Sequence, residues 1–303
     1  MATLYTHQKS NVQKTWALMT VFLVIVIIIG WLIGYSTGNP AIVYIAVVIA
    51  LVMNVFSYWK SDKIALALSG AKPIDLANPE HKELDRLVEN LAITAGLPKP
   101  RVYIINDPAP NAFATGRDKE HAAIAVTTGI VGMLEKVELE GVIAHELSHI
   151  GNRDILVQTV VVVLVGFIAI LSDMFLRMGL GGGKREGKGG GAIMIVAIVA
   201  AILAPLAANL IKLAISRKRE FLADASGALL TRYPEGLAGA LLKIESYGEG
   251  MRKTSHATAH LFIASPFGSG KSKGAKSFFN RLFSTHPPTE DRVTALIGNN
   301  RNV

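Results

Sequence analysis

The sequence predicts an α+β membrane protein in which four hydrophobic helices accompany a polar, mainly helical domain with a small β-sheet. Half of the 303 residues are hydrophobic and 18% are charged, which is too apolar for an ordinary soluble domain. The apolar residues are concentrated in four uncharged stretches, and about 20 residues at 1.5 Å rise cross a ~30 Å hydrocarbon core. These stretches are residues 16–34, 41–59, 155–172 and 192–211.

The first two stretches form a tight hairpin, because only residues 35–40 separate them. Lys9 and Lys14 resemble the start of a signal peptide. However, the apolar run that follows is too long and lacks an A-x-A cleavage site, so a retained anchor is favoured. Pro205 in the fourth stretch is tolerated, because neighbouring helices can satisfy the freed carbonyl. For the third and fourth stretches, a buried hairpin that does not cross the bilayer is the alternative.

The stretches divide the chain into four parts. Residues 1–59 form an N-terminal transmembrane hairpin, and residues 155–215 form a second hydrophobic hairpin with a Gly-rich loop. The polar pieces 60–154 and 216–303 are each small for a single core, but together they suit one domain of ordinary size. An even number of spans separates the two pieces, which places both on the same side of the membrane.

The distribution of basic residues predicts which side that is. Basic residues on the side of the polar pieces include Lys9, Lys14, Lys60, Lys63, Arg153 and the cluster at 217–219, whereas the loop at 35–40 has no charge. By the positive-inside rule, the polar domain is cytoplasmic and the chain is a multi-pass protein of the plasma (inner) membrane. The second opposite-side loop opposes this assignment, because it carries Arg177, Lys184, Arg185 and Lys188 against Asp173 and Glu186.

The positions of the basic residues beside the apolar stretches also indicate what they interact with. The net charge of +8 is explained by orientation in a lipid bilayer, so no nucleic-acid partner is expected. The chain has no cysteine, which excludes disulfides and any zinc site built from cysteines.

Hydrophobic periodicity and turn-forming residues such as Gly and Pro predict the helices and strands of the two polar pieces. In the first piece we expect an amphipathic helix, a strand bounded by prolines, two strands joined by the polar turn 116–120, and a helix. These are residues 79–95, 101–105, 111–115, 121–127 and 138–149. In the second piece we expect a helix that continues out of the fourth stretch to residue 231, a helix at 237–247 and a loop-like region at 248–284.

The sequence His145-Glu146-Leu147-Ser148-His149 carries the clearest chemical signal in the chain. Residues four apart on an α-helix lie on the same side, so two neutral imidazoles can bind one Zn²⁺ while Glu146 takes a proton from the attacking water. The extended metzincin pattern is excluded, because it requires Gly at 152 and His at 155, where this chain has Asn152 and Ile155.

A catalytic zinc usually has three protein ligands, so a third must come from elsewhere. Glu220 and Asp224 are four residues apart just after the fourth stretch, and a membrane hairpin would return them to the level of His149. Glu220 is therefore the expected ligand, and Asp224 the residue that braces a ligand from outside. Other glutamates compete without such a bracing partner, namely Glu138, Glu140, Glu245 and Glu249.

Two further patterns carry no site. Gly268-Ser269-Gly270-Lys271-Ser272 resembles the end of a phosphate-binding loop, but the required first glycine would fall at Ser265, so no nucleotide is expected. His256 and His260 are also four apart, but they lack the intervening acid in the right place and are interpreted as ordinary residues.

The chain resembles the HtpX-type integral-membrane zinc metalloproteases, which are related to the CAAX prenyl endopeptidases. The resemblance covers essentially the whole chain, with four hydrophobic segments in the family's order. Its motifs are Asn111 to Gly116 (NAFATG), His145 to Asp154 (HELSHIGNRD), Glu220 to Asp224, and His286-Pro287 followed by Arg292.

The resemblance implies a zincin-like cytoplasmic protease domain with one Zn²⁺ per chain, held by His145, His149 and Glu220. It implies that Glu146 and His286 are catalytic, as base and as oxyanion donor; for His286 the alternative is a turn-capping histidine. Further residues implied by the motifs are Asp224 and Asn152, which support the ligands, and five residues that bind substrate: Asn111, Ala112, Phe113 and Ala114 on an edge strand, and Arg292. For the strand, the alternative is an ordinary sheet strand covered by the second polar piece.

The function implied by the resemblance is a zinc-dependent endopeptidase of the membrane. It would cleave damaged, misfolded or unfolded membrane proteins at the cytoplasmic face, in stress response and protein quality control, together with membrane quality-control partners. An intramembrane, site-2-like zinc protease is the alternative; the charged residues Glu138, Glu140, Arg153 and Asp154 around the motif favour the membrane surface. A non-enzymatic zinc-binding membrane scaffold is less favoured, because structural zinc normally has four protein ligands.

Overall fold

Long apolar helices are joined to a mostly helical polar domain that surrounds a small mixed sheet. The structure is a computed structural model that describes residues 4–181, 210, 216–253, 255–268 and 287–298. Among these residues, three helical segments are long and apolar enough to cross a membrane: Ser10–Tyr35, Ala41–Trp59 and Asp154–Leu171. The fourth expected span, except for Leu210, and the Gly-rich loop at 182–191 lie outside the described residues.

Helices α1 (Leu4–Thr37) and α2 (Ala41–Trp59) form the expected hairpin. They pack closely at Gly30, where an added Cβ would lie 2.3 Å from the Cβ of Ala46; small residues allow such approaches between membrane helices. Helix α7 (Asp154–Gly181) contacts both of them. In the most apolar part of α7, 72% of the residues are buried, whereas in the most apolar part of α2 only 17% are buried. Helix α2 therefore presents most of its surface outward.

The first polar piece contains four helices and four strands. These are α3 (Ser61–Leu68), β1 (Lys72–Pro73), α4 (Pro79–Thr94), β2 (Arg101–Ile105), β3 (Ala112–Thr115), β4 (Ala123–Thr127), α5 (Thr128–Met133) and α6 (Lys136–Gly151). The predictions for α4, β2, the β3–β4 hairpin and α6 are confirmed to within two residues at each boundary. Elements α3, β1 and α5 were not predicted, because they are too short for a periodic pattern to distinguish them from loops.

The sheet has the strand order β1-β2-β4-β3, so β3 lies at one edge of the described sheet. β2 and β4 are parallel, whereas the β3–β4 and β1–β2 pairs are antiparallel. Side chains alternate between the two faces. Phe113 and Ala125 join the core that includes α1 and α7, and Ala112 and Ala114 join the core that includes α4 and α6.

The second polar piece contributes α8 (Arg217–Thr231), α9 (Pro234–Tyr247), a 3₁₀ turn (Ala259–Leu261) and α10 (Thr289–Ile297). The expectation that α8 continues out of the fourth stretch is wrong at its start. Ser216 is extended, with φ −146° and ψ 114°, and α8 begins at the next residue. Helices α8 and α9 both pack on α6, and a Cβ at Gly141 of α6 would lie 2.7 Å from the backbone nitrogen of Leu237.

Candidate metal centre

Helix α6 presents His145 and His149 one turn apart in the interior of the polar domain. Its start is fixed by a capping box between Glu135 and Glu138, in which the Glu135 N–H donates to the Glu138 carboxylate at 2.8 Å. The same carboxylate is paired with Lys243, so the competing candidate Glu138 is engaged elsewhere. The Nε2 atoms of the two buried histidines are 3.2 Å apart.

Glu220 of α8 faces both histidines. Its Oε1 lies 3.7 Å from His149 Nε2 and its Oε2 lies 3.8 Å from His145 Nε2. One ligand atom from each residue can be chosen so that all three lie within 4.8 Å of one another. Helices α6 and α8 approach closely here because α8 has Gly227 at the contact. A Cβ at Gly227 would lie 3.0 Å from the backbone nitrogen of His145.

Asp224 lies behind His145, one turn along α8 from Glu220. Its Oδ1 is 2.9 Å from His145 Nδ1, and Arg292 donates to its two oxygens at 2.7 and 2.8 Å. Burial raises the pKa of Asp224, but Arg292 and His145 more than offset this, and they lower the pKa to about 2. Breaking such a buried pair costs about 3–5 kcal/mol, because one charge is left uncompensated.

Arg292, which the resemblance implies as a substrate-binding residue, lies in the interior beside Asp224. Its side chain is only 2% exposed, and its guanidinium is engaged by Asp224 and, through Nη1, by the carbonyl of Ile263 at 3.4 Å. In this arrangement Arg292 supports the carboxylate that orients His145.

Asp154 belongs to this cluster, although the sequence analysis assigned it no role at the site. Its Oδ2 lies 3.0 Å from His149 Nδ1. The left-handed turn at Arg153, with φ 58°, brings Asp154 back towards the end of α6. Burial lowers the pKa of His149, but Glu220, Asp154 and Glu146 outweigh this and raise the pKa to about 9. The predicted supporter Asn152 ends α6 and contributes its main-chain carbonyl, which accepts from Asn11.

The donor set fits a tetrahedral zinc ion. Two ligands about 2.0–2.1 Å from zinc would be about 3.3 Å apart, close to the observed 3.2 Å between the Nε2 atoms. Both Nδ1 atoms face carboxylates. With a proton on Nδ1 directed to each carboxylate, both Nε2 lone pairs would be available to one cation, and its binding would displace the second proton that the raised pKa of His149 favours in its absence.

Buried charge leads to the same conclusion. Four buried carboxylates meet only two buried guanidinium groups in this cluster, and with His149 neutral, as a metal ligand must be, a divalent cation would balance the two remaining negative charges. The carboxylates are those of Glu146, Asp154, Glu220 and Asp224, and the guanidinium groups are those of Arg219 and Arg292.

The predicted substrate strand β3 packs directly on α6. The Thr127 N–H donates to the Asn111 carbonyl at 2.9 Å. Because main-chain groups alternate in direction along a strand, those of Ala112 and Ala114 point away from β4. The Ala112 carbonyl accepts from the Ile263 N–H at 2.9 Å. Ala114 lies further along this outer edge, beyond the hydrogen bond to Ile263.

The segment at 262–264 therefore covers the first half of the β3 edge. Asn111 fixes this segment, because its amide donates to the Ala264 carbonyl and accepts from the Ala264 N–H at 3.0 and 3.2 Å. Phe113 packs edge-to-face on Phe262, with ring centroids 5.0 Å apart. Asn111 and Phe113 thus hold the covering segment, and Ala114 is the predicted substrate contact that lies beyond it.

The remaining predicted residues are placed as follows. His286 lies outside the described residues, so its assignment as oxyanion donor stays a prediction. His260 is buried with Nε2 3.0 Å from the Gln158 carbonyl, and the ring of His256 lies on that of Phe267. These contacts agree with their interpretation as ordinary residues.

Comparisons with known proteins identify relatives of this chain. The model of peptidase family M48 matches residues 78–299. A protease HtpX homolog of Caldanaerobacter subterraneus subsp. tengcongensis is 46% identical over 303 residues, with 97% of each chain covered. A protease HtpX homolog of Pyrococcus furiosus is 49% identical over 266 residues, which cover 87% of this chain and 89% of the relative. The crystal structure of S. mikatae Ste24p matches with 18% identity and a TM-score of 0.48, over 93% of this chain and 62% of that one.

Removing the carboxylate behind His149 tests the geometry of the centre. Asp154→Ala is expected to weaken zinc binding about 10- to 100-fold, because the imidazole loses the acceptor that fixes its orientation. Zinc affinity is measured by competition with a chelator in detergent. Asp118→Ala is the matched control, because it removes a carboxylate from the surface histidine His121 and should leave zinc affinity unchanged. Equal affinities of the Asp154→Ala variant and the wild type would show that Asp154 does not support the ligand.

Proposed function

This chain belongs to peptidase family M48 and is a membrane metalloprotease, and we propose that it is a zinc-dependent endopeptidase that cleaves unfolded segments of damaged membrane proteins at the cytoplasmic membrane surface. The match to the family model and the similar HtpX homologs confirm the resemblance to the HtpX-type proteases. One observation carries the proposal: His145, His149 and Glu220 converge in the interior beside Glu146, with a carboxylate behind each histidine.

The residues of the chain have separate tasks in this reaction. When bound, zinc supplies Lewis acidity that activates water and polarises a peptide carbonyl. Glu146 follows His145 directly on α6 and takes the proton of the attacking water, then returns it to the amine that leaves. Asp224 and Asp154 face the Nδ1 atoms of the two imidazoles, fix their orientation and leave Nε2 to bind the metal. His286 is proposed to donate a hydrogen bond to the oxyanion.

The outer edge of β3 is proposed to hold the substrate. An extended peptide can add to an edge strand through main-chain hydrogen bonds, which are largely independent of side-chain identity. Ala114 supports this role because its main chain points outward beyond the segment that covers Ala112. A folded protein cannot pair in this way, since its backbone groups are already used. This requirement suits a protease of damaged proteins.

The position of the centre along the chain supports a site at the membrane surface. Helix α6 ends at Gly151, and the third candidate span begins at Asp154. Glu220 follows the fourth apolar stretch by nine residues. Both sides of the centre are therefore attached to the ends of hydrophobic segments, and the basic residues on that side support a cytoplasmic location.

Replacing the proposed base separates zinc binding from chemistry. Glu146→Gln should keep zinc and lose proteolysis by about 10²–10⁴-fold or more, whereas Glu220→Ala should lose most of the zinc and all activity. Zinc content and cleavage of an unfolded substrate are measured on the same detergent samples, with product masses as readout. Glu140→Gln, on the same helix, is the control and should behave as wild type. A Glu220→Ala variant with full zinc and turnover would mean that the third ligand is misassigned.

Proline substitutions test the substrate strand. Ala114→Pro removes an outward N–H and should cut kcat/KM strongly for an unfolded substrate while zinc stays bound. Ala112→Pro is the matched control, because the N–H that it removes already donates to the Asn111 side chain, so a smaller effect is expected. If both variants fold, bind zinc and cleave at the wild-type rate, β3 does not hold substrate.

Single cysteines test the topology, since the chain has none of its own. A cysteine at Glu83, an exposed position of α4, should be labelled only from the cytoplasmic side. Cysteines at Asn39, in the exposed turn between α1 and α2, and at Gly183 should be labelled only from outside. Labelling of Gly183 from the cytoplasmic side would restrict the chain to two spans, and a full reversal would overturn the orientation.

A further inference from the structure

The N-terminal membrane helix reaches the metal centre through one side chain. Asn11 lies near the start of α1 and is only 3% exposed. Its amide donates to Asp154 Oδ1 at 2.7 Å and is 3.2 Å from the carbonyl oxygen of Asn152. These partners are more than 140 residues away in sequence, and both lie at the junction of α6 and α7.

The contact determines how Asp154 is oriented. The carboxylate has two oxygens, of which Oδ2 faces His149 Nδ1 at 3.0 Å. The other oxygen, Oδ1, accepts from Asn11 and lies 3.4 Å from Arg219 Nε. With Oδ1 engaged from two directions, rotation of the carboxylate is restricted and Oδ2 stays aimed at the imidazole.

We propose that Asn11 is a positioning residue for the metal ligand His149, acting through Asp154, so that the first membrane helix is part of the support of the metal centre. The inference rests on the zinc site of the proposed function. Asn54 shows what a merely structural asparagine does in the same hairpin: its amide donates to the Met19 carbonyl at 3.2 Å, and it lies on α2, away from the ligands.

The test compares zinc affinity of the full-length protein in detergent. Asn11→Leu should bind zinc about 10-fold more weakly, as loss of an outer hydrogen bond to a ligand network does. The absorption spectrum of bound Co²⁺ should also change, because the orientation of His149 changes. Asn11→Gln keeps the carboxamide and should recover part of the affinity. Asn54→Leu should lower the thermal stability of the metal-free protein and leave zinc affinity and the Co²⁺ spectrum unchanged.

Two results would overturn the inference: wild-type affinity and Co²⁺ spectrum in Asn11→Leu, or equal weakening of zinc binding in Asn54→Leu. If Asn11→Leu does not fold, Asn11→Ala removes the same donor with a smaller side chain and is judged by the same criteria. Failure of the wild type to bind zinc would instead contradict the proposed function, so the two failures are distinguishable.

Discussion

The balance of buried charge at the metal centre is the constraint on which the arrangement of this protein depends. Moving an ion out of water costs several kcal/mol even after relaxation, so each buried carboxylate must meet a cation or strong hydrogen-bond donors. Arg292 comes from α10 and Arg219 from α8, while the histidines come from α6. The Asp224–Arg292 pair forms within the second polar piece, but Asp154 of the first piece meets Arg219 of the second, so the charges of the whole centre are balanced only when both pieces assemble.

The sequence predicts the parts of this arrangement that depend on local spacing. The four-residue separation of His145 and His149 needs only an α-helix, and the choice of Glu220 needs only that a hairpin returns the chain. Asp154 follows the motif closely, but its role depends on a left-handed residue at Arg153, which is uncommon for a side chain other than Gly or Asn. Arg292 contacts Asp224, 68 residues away in sequence, and Asn11 contacts Asp154, 143 residues away. Sequence periodicity cannot predict contacts over such separations.

The β3 edge shows how coverage limits binding. The Ile263 N–H occupies the Ala112 carbonyl, so an added strand could pair only with the outward main chain around Ala114. Ala114 is itself only 2% exposed, so its surroundings must open before a peptide can pair there. In the proposed function few main-chain hydrogen bonds form, each contributing about 0.5–1.5 kcal/mol net. Affinity for any single peptide is then low, and turnover favours segments that stay unfolded long enough to meet the centre repeatedly.

The turn at Asn152 and Arg153 has a consequence for the protein in lipid. Asp154 is the first residue of α7, and its carboxylate also faces the imidazole of His149. The start of an apolar helix is therefore linked directly to a candidate metal ligand. If α7 crosses the bilayer, a bilayer thinner than its apolar length would be accommodated by helix tilt, and tilt about this turn would displace the carboxylate. Hydrocarbon thickness would then be coupled to the geometry of the ligands, and the lipid or detergent around α7 would be a variable of the metal site.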